Sequence, residues 1–218
     1  MSITKEKTPN CKVVLLGESG VGKTCIIARY INGTYDEKSE STNGASYASK
    51  TISYDNINKS LQFDIWDTAG QERYRALTKF FYKDAAIAIL VYDMTREESF
   101  DEMKNYWYNQ LKNFSGKNII IGIAGNKSDL YDKEAVSEEE ARNFATEIGA
   151  IFRLTSACNN NNIDELFKAV GNSYLDPKFQ DNLISEKAET KGEATTKITA
   201  DDLKDQLKKK KNKGNCKI

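Results

Sequence analysis

Directly after the apolar run Cys11-Lys-Val-Val-Leu-Leu16, the chain breaks into Gly17-Glu-Ser-Gly-Val-Gly-Lys-Thr24, and few folds accept that order of events. A buried strand has to stop at Gly17, and a helix has to begin by Thr24 and run to Tyr30. Between them, closely spaced glycines let backbone amides turn inward around an anion, at the positive end of the helix. The string fits G-x-x-x-x-G-K-[ST], in which Lys23 sets a cation against phosphates and the Thr24 hydroxyl suits Mg²⁺. Alone, it specifies a nucleotide and leaves the base open.

The remaining pattern alternates short apolar runs with helical segments, as in a parallel sheet with crossover helices. Tyr47 to Tyr54 and Leu61 to Trp66 read as two strands joined by the turn-rich D-N-I-N-K-S. In the second, Leu61, Phe63 and Ile65 alternate with Gln62 and Asp64, giving one buried face. Ala85–Tyr92 and Asn118–Ala124 are continuous apolar runs, expected for strands covered on both faces, and Ile151–Leu154 adds the last strand. Helices are expected over Glu97–Phe114, Ser137–Ile148 and Ile163–Tyr174, the second opened by the capping box S-E-E-E. The expected class is α/β: a doubly wound, mostly parallel six-stranded sheet with one antiparallel edge strand. Residues 1–10 read as a flexible N-terminus, 11–178 as the folded domain, and 179–218 as a tail expected to be disordered when free.

Composition removes several chemistries. The chain has no histidine, which excludes a Ser-His-Asp hydrolase, an imidazole base and a His-containing zinc site. Cys11, Cys25, Cys158 and Cys216 show no C-x-x-C spacing and fit a reduced compartment. Formal net charge is zero, so no nucleic-acid partner is expected. The N-terminal stretch lacks a signal peptide's apolar core, and no apolar run is long enough to span a bilayer.

Asn126-Lys-Ser-Asp129 follows a predicted strand, at the sheet end where such folds face ligands. A carboxylate there can accept both N–H groups of guanine's Watson–Crick edge, which adenine lacks. With this loop and Trp66-Asp-Thr-Ala-Gly-Gln-Glu72 in order behind the glycine string, the chain resembles Ras-superfamily GTPases, and Rab GTPases within them. The resemblance covers about Cys11 to Tyr174. E-S-T-N-G-A-S-Y at 40–47 and G-E-S at 17–19 are similar to the endosomal branch.

The resemblance implies a P-loop G domain that binds GTP or GDP with Mg²⁺ and hydrolyses GTP. Ser19, Gly20, Val21, Gly22, Lys23, Thr24 and Cys25 would surround the phosphates; Thr24 and Thr42 would ligate Mg²⁺, with Asp67 acting through water. Gly70 would sense the γ-phosphate and Gln71 would orient the attacking water. Asn126, Lys127 and Asp129 would read guanine with help from Ser156, Ala157 and Cys158, and Tyr35 would pack against the nucleotide. The lack of a histidine base independently suits phosphoryl transfer driven by positioning and electrostatics. Tyr47, Trp66 and Phe81 match the aromatic effector triad, for which ordinary sheet-edge packing is the alternative.

Partners implied are an exchange factor, a GTPase-activating protein, GTP-state effectors and a prenyl-binding chaperone around a monomer. The implied setting is cytoplasmic: the cytosolic face of endomembranes, endosomal in particular, cycling with cytosol. This chain departs from the family at Asn43, where an apolar residue is usual, at Tyr47, where Phe is common, and at Cys158, which replaces a frequent lysine. From Lys204 to Lys217 there are seven lysines and a single acid, Asp205. A lipid on Cys216 beside this basic run would hold a membrane surface. Cys216 is followed only by Lys217 and Ile218, one residue short of C-a-a-X, so a solvated lysine tail is the alternative. Two other readings are a nucleotide-dependent binding module with negligible turnover and a P-loop kinase or ATPase. Gln71 argues against the first and the 126–129 loop against the second.

Overall fold

Strand β1 (Asn10–Leu16) lies inside a six-stranded sheet of order β2-β3-β1-β4-β5-β6. The other strands are β2 (Ala45–Tyr54), β3 (Lys59–Thr68), β4 (Ile87–Asp93), β5 (Ile120–Asn126) and β6 (Ile151–Leu154). The computed structural model describes residues 8–38, 42, 45–68, 83–115 and 118–181. All neighbouring pairs are parallel except β2 with β3, an antiparallel hairpin at the sheet edge. This is the sheet expected from the sequence. The β2–β3 strands extend past the predicted limits because ladder pairing carries them from Ala45↔Thr68 to Tyr54↔Lys59.

Alternation along β1 assigns its side chains to two cores. Val13 and Leu15 join Ile26, Tyr30, Phe63, Ile65, Phe167 and Val170 beneath α1 (Lys23–Asn32) and α5 (Ile163–Leu175). Val14 and Leu16 join Leu90, Tyr92, Phe100, Trp107 and Leu111 on the opposite face. The helical layer there is α2 (Glu97–Glu102), a π-helical turn (Met103–Tyr108) and α3 (Asn109–Phe114), with α4 (Glu138–Glu147) alongside. Covering both faces explains why the central strands read as unbroken apolar runs. Tyr30 stacks on Phe167 with ring centroids 3.8 Å apart, so truncating Phe167 to alanine would cost about 3–5 kcal/mol.

Half of the capping box forms at α4: the Glu140 N–H donates to Ser137 Oγ at 3.2 Å. The Glu140 carboxylate faces Lys104 Nζ at 3.5 Å instead of closing the box, because an opposite charge on the neighbouring helical layer competes for it. Beyond α5 a helical turn covers 177–181, and Phe179 packs on Tyr174 at 5.8 Å between ring centroids. Phe179 also packs against the core beneath α1 and α5. Among the described residues no helix is long and apolar enough to cross a membrane.

Strand register decides where chemistry can gather. Leu15 pairs with Asp67, and Asp93 with Asn126, so the carboxyl ends of β1, β3, β4 and β5 end at one edge. The loops leaving that edge carry most of the residues singled out above.

Candidate functional site

Gly17 leaves β1 at φ +152°, where a Cβ would lie 2.2 Å from the Val91 carbonyl oxygen; no side chain fits. Gly22 precedes α1 at φ +95°, and a Cβ there would meet Asn126 Nδ2 at 2.3 Å. The loop between them bends around Lys23, whose Nζ donates to the carbonyls of Gly17 at 2.8 Å and Glu18 at 2.9 Å. Burial pulls this ammonium down to about 8, although the Asp67 and Glu18 carboxylates favour its charge. First-turn amides of α1 have no acceptor within the helix, leaving donors and a buried cation around one concavity. That arrangement can hold phosphate.

Thr24, Thr42 and Asp67 meet at its mouth. Thr24 Oγ1 lies 2.7 Å from both Thr42 Oγ1 and Asp67 Oδ2, and Thr42 Oγ1 donates to Asp67 Oδ2 at 3.3 Å. Asp67 Oδ1 is buried without a partner among the described residues. Burial raises the Asp67 carboxyl, opposed by the Thr24 hydrogen bond, the Lys23 charge and Thr42. A hard cation binding one carboxylate and hydroxyl oxygens, with phosphate completing its shell, suits this donor set.

The far wall is built from β5 and the segment after β6. Asn126 is 2% exposed; its Nδ2 donates to the Val21 carbonyl at 2.8 Å and its Oδ1 accepts from Thr155 Oγ1 at 3.3 Å. Lys127 adopts φ +66° and pairs with buried Asp93, Nζ to Oδ2 at 2.7 Å. Burial alone would raise the Asp93 carboxyl, yet Lys127 and hydrogen bonds from Thr95 outweigh it and hold it below its ordinary value. Arg96 continues this chain of charges, with Nε 3.5 Å from Asp93 Oδ2 and Nη2 3.1 Å from Glu18 Oε2. Asp129 accepts from Ser156 Oγ at 2.5 Å, which orients the carboxylate.

A cavity of about 320 Å³ is lined by Ser19, Gly20, Gly22, Lys23, Thr24, Cys25, Tyr35, Thr42, Asn126, Lys127, Asp129, Ala157 and Cys158. Thr68, from the W-D-T-A-G-Q-E string, also lines it, as do Glu37 and Leu130, which no motif marked. Val21 and Ser156 stand behind the wall: both are fully buried, one lending its carbonyl to Asn126, the other its hydroxyl to Asp129. Away from the cavity, Tyr47 is 54% exposed and meets Trp66 edge-on at 5.5 Å between ring centroids. Gly70, Gln71, Phe81 and Cys216 lie outside the described residues.

Residues 12–176 match the family described as "Ras family". The chain belongs to the Ras family. It is 48% identical over 156 residues to "Ras-related protein Rab-22A" of Homo sapiens, covering 72% of this chain and 79% of that protein. It is also 42% identical over 167 residues to "Ras-related protein Rab5" of Nicotiana tabacum, covering 77% and 82%. Identity to "Ras-related protein RABA4b" of Arabidopsis thaliana is likewise 42%, over 175 residues, covering 80% and 77%. Within the Ras family the chain is a small GTPase of Rab type.

Proposed function

We propose that this Rab-type chain is a GTP-dependent switch for vesicle trafficking on the cytosolic face of endosomal membranes, read by effectors that bind only its GTP form. The supporting observation is the meeting of Thr24, Thr42 and Asp67, which brings a phosphate-loop hydroxyl, a separate surface segment and a strand-end carboxylate to one point. When bound, Mg²⁺ would supply charge neutralisation at the β- and γ-phosphate oxygens.

The chain's own residues do the rest. Lys23 and the first amides of α1 bind the phosphates, while Asn126, Lys127 and Asp129 hold guanine with the Ala157 amide. Gln71 orients water in line with the γ-phosphate. With no imidazole in the chain, catalysis rests on positioning, and an arginine from an activating protein would add about 10³–10⁵ in rate. Loss of the γ-phosphate removes the anchor shared by the segments bearing Thr42 and Gly70. Effector affinity for one state over the other then sets the output. The aromatic pair Tyr47–Trp66 gives partners an exposed foothold, and a lipid on Cys216 with Lys208–Lys211 would give membrane attachment.

The test is nucleotide competition followed by partner capture with the full chain. Guanine nucleotides should displace a labelled GDP where ATP and ADP do not, and Gln71→Leu should slow single-turnover hydrolysis. Capture should retain effectors on the GTP-locked form and not on the GDP form. Equal affinity for adenine nucleotides, or the same proteins retained by both forms, would defeat the reading. Intact mass of the native protein decides lipidation of Cys216.

A further inference from the structure

Arg29 belongs to no motif, yet it grips the base-side wall of the cavity. It lies on α1, six residues after Lys23. Its guanidinium donates from Nε to the Ala157 carbonyl at 2.8 Å and from Nη2 to the Cys158 carbonyl at 2.9 Å. From Nη1 it donates to the carbonyl of Gly33, the C-cap of its own helix, at 2.6 Å. The Tyr35 ring centroid sits 6.0 Å from its Cζ. Among the described residues its hydrogen bonds all go to carbonyls, so the cation acts as a bracket between backbone segments.

The bracket has a chemical consequence. An ionised Asp129 accepts and cannot donate, so it can take guanine's N1–H and 2-amino group, and the adjacent 6-oxygen needs a donor from elsewhere. The Ala157 N–H is suited: Ala157 lines the cavity, and among the described residues its N–H has no internal acceptor. One neighbour, Ser156, is fixed by paired backbone bonds with Asn161 at 3.1 and 3.0 Å and by its hydroxyl on Asp129. On the other side the carbonyls of 157 and 158 are fixed by Arg29. Ala157 is therefore held from both sides, one of them by the helix that begins at the phosphates.

We propose that Arg29 is a positioning residue for base recognition: by holding the Ala157 and Cys158 carbonyls it presents the Ala157 amide to the 6-oxygen of guanine. This rests on the guanine-nucleotide reading above. Lysine cannot substitute fully, because a single ammonium lacks the planar fork that reaches three carbonyls at once.

The test measures equilibrium affinity of the full chain, wild type and Arg29→Met, for three ligands. GDP is the reference, 6-thio-GDP replaces the 6-oxygen with a poorer acceptor, and IDP lacks the 2-amino group. Arg29→Met should weaken GDP binding by about tenfold. It should narrow the preference for GDP over 6-thio-GDP and leave the preference for GDP over IDP, which Asp129 sets, in place. Arg29→Lys should fall between, and it decides by the same ratios if the methionine variant does not fold. Equal weakening of all three ligands, or no weakening, overturns the proposal and leaves Arg29 a purely structural clamp. A wild type that binds ADP as well as GDP overturns the guanine reading and this inference together. A guanine-selective wild type whose variants keep full 6-oxo selectivity overturns this inference alone.

Discussion

Asn126 Nδ2 donates to the Val21 carbonyl at 2.8 Å, joining the base-side loop to the phosphate loop across 105 residues of sequence. Gly22 is what lets the two approach, since a Cβ at that position would stand 2.3 Å from the same nitrogen. Gly22→Ala should therefore displace the Asn126 amide as well as strain a backbone at φ +95°. The expected loss of guanine-nucleotide affinity is about a hundredfold, from a broken buried hydrogen bond plus backbone strain. Asn126→Ala should lose a similar amount and add little in the double variant, because both act on one contact. The dissociation rate of a fluorescent GDP analogue measures this; independent, additive losses would refute the coupling.

The Asp93–Lys127 pair gives a pH-dependent prediction. Asp93 is 2% exposed and its carboxyl is held below the ordinary 3.8 in the folded chain. A carboxylate depressed in this way contributes stability that is present above its unfolded value and is lost as pH falls through the folded one. Asp93→Asn should cost about 2 kcal/mol at neutral pH by leaving Lys127 without its counter-charge. The stability gap between wild type and variant should then shrink as pH drops below the carboxylate range. Denaturant titrations at several pH values test this, and a gap that stays constant into acid would exclude the pair as its source.

The sheet was legible because its central strands are covered on both faces, so Ala85–Tyr92 and Asn118–Ala124 announce themselves as apolar runs. The phosphate loop was legible because Gly17 and Gly22 occupy backbone positions where a Cβ collides with Val91 or Asn126. Arg29, Asp93 and Arg96 gave no such signal. Arg29 reaches carbonyls 128 and 129 residues away, and its partners are backbone atoms, which carry no side-chain identity for a motif to record. Asp93 was hidden in the strand end, since only the parallel register with Asn126 places it beside Lys127. Glycine constraints are local and appear in sequence; clamps between distant backbone segments do not.

Thr24→Asn probes the hydroxyl cluster. The Thr24 hydroxyl lies 2.7 Å from both Thr42 Oγ1 and Asp67 Oδ2, and a carboxamide cannot occupy that corner in the same way. Binding of GTP with Mg²⁺ should fall far more than binding of GDP, because Thr42 and Asp67 lose the oxygen they share. Titration of both nucleotides with and without Mg²⁺ separates the effects. A variant that weakens GTP and GDP equally, or whose GTP affinity no longer differs from wild type, would contradict the proposed role of the cluster.

Gly171 offers a test within the core, away from nucleotide. It sits in α5, and a Cβ there would lie 1.8 Å from the Tyr54 hydroxyl and 2.8 Å from Phe63 Cζ. Alanine improves helix propensity by about 1 kcal/mol over glycine, so a loose site would make Gly171→Ala stabilising. The packing argues for the opposite sign, a net loss of about 1–3 kcal/mol, because the aromatic rings of β2 and β3 have to move. The Tyr54 hydroxyl is also buried without a partner among the described residues. Tyr54→Phe should accordingly be neutral or stabilising alone, since it removes a desolvated polar group. Combined with Gly171→Ala it should recover part of the loss, but not all, because Phe63 Cζ at 2.8 Å and Tyr54 Cζ at 2.9 Å still crowd the added methyl. Urea unfolding of the four proteins gives the coupling energy directly. A stabilised Gly171→Ala, or strict additivity in the double variant, would show that α5 does not press on β2 as closely as these distances require.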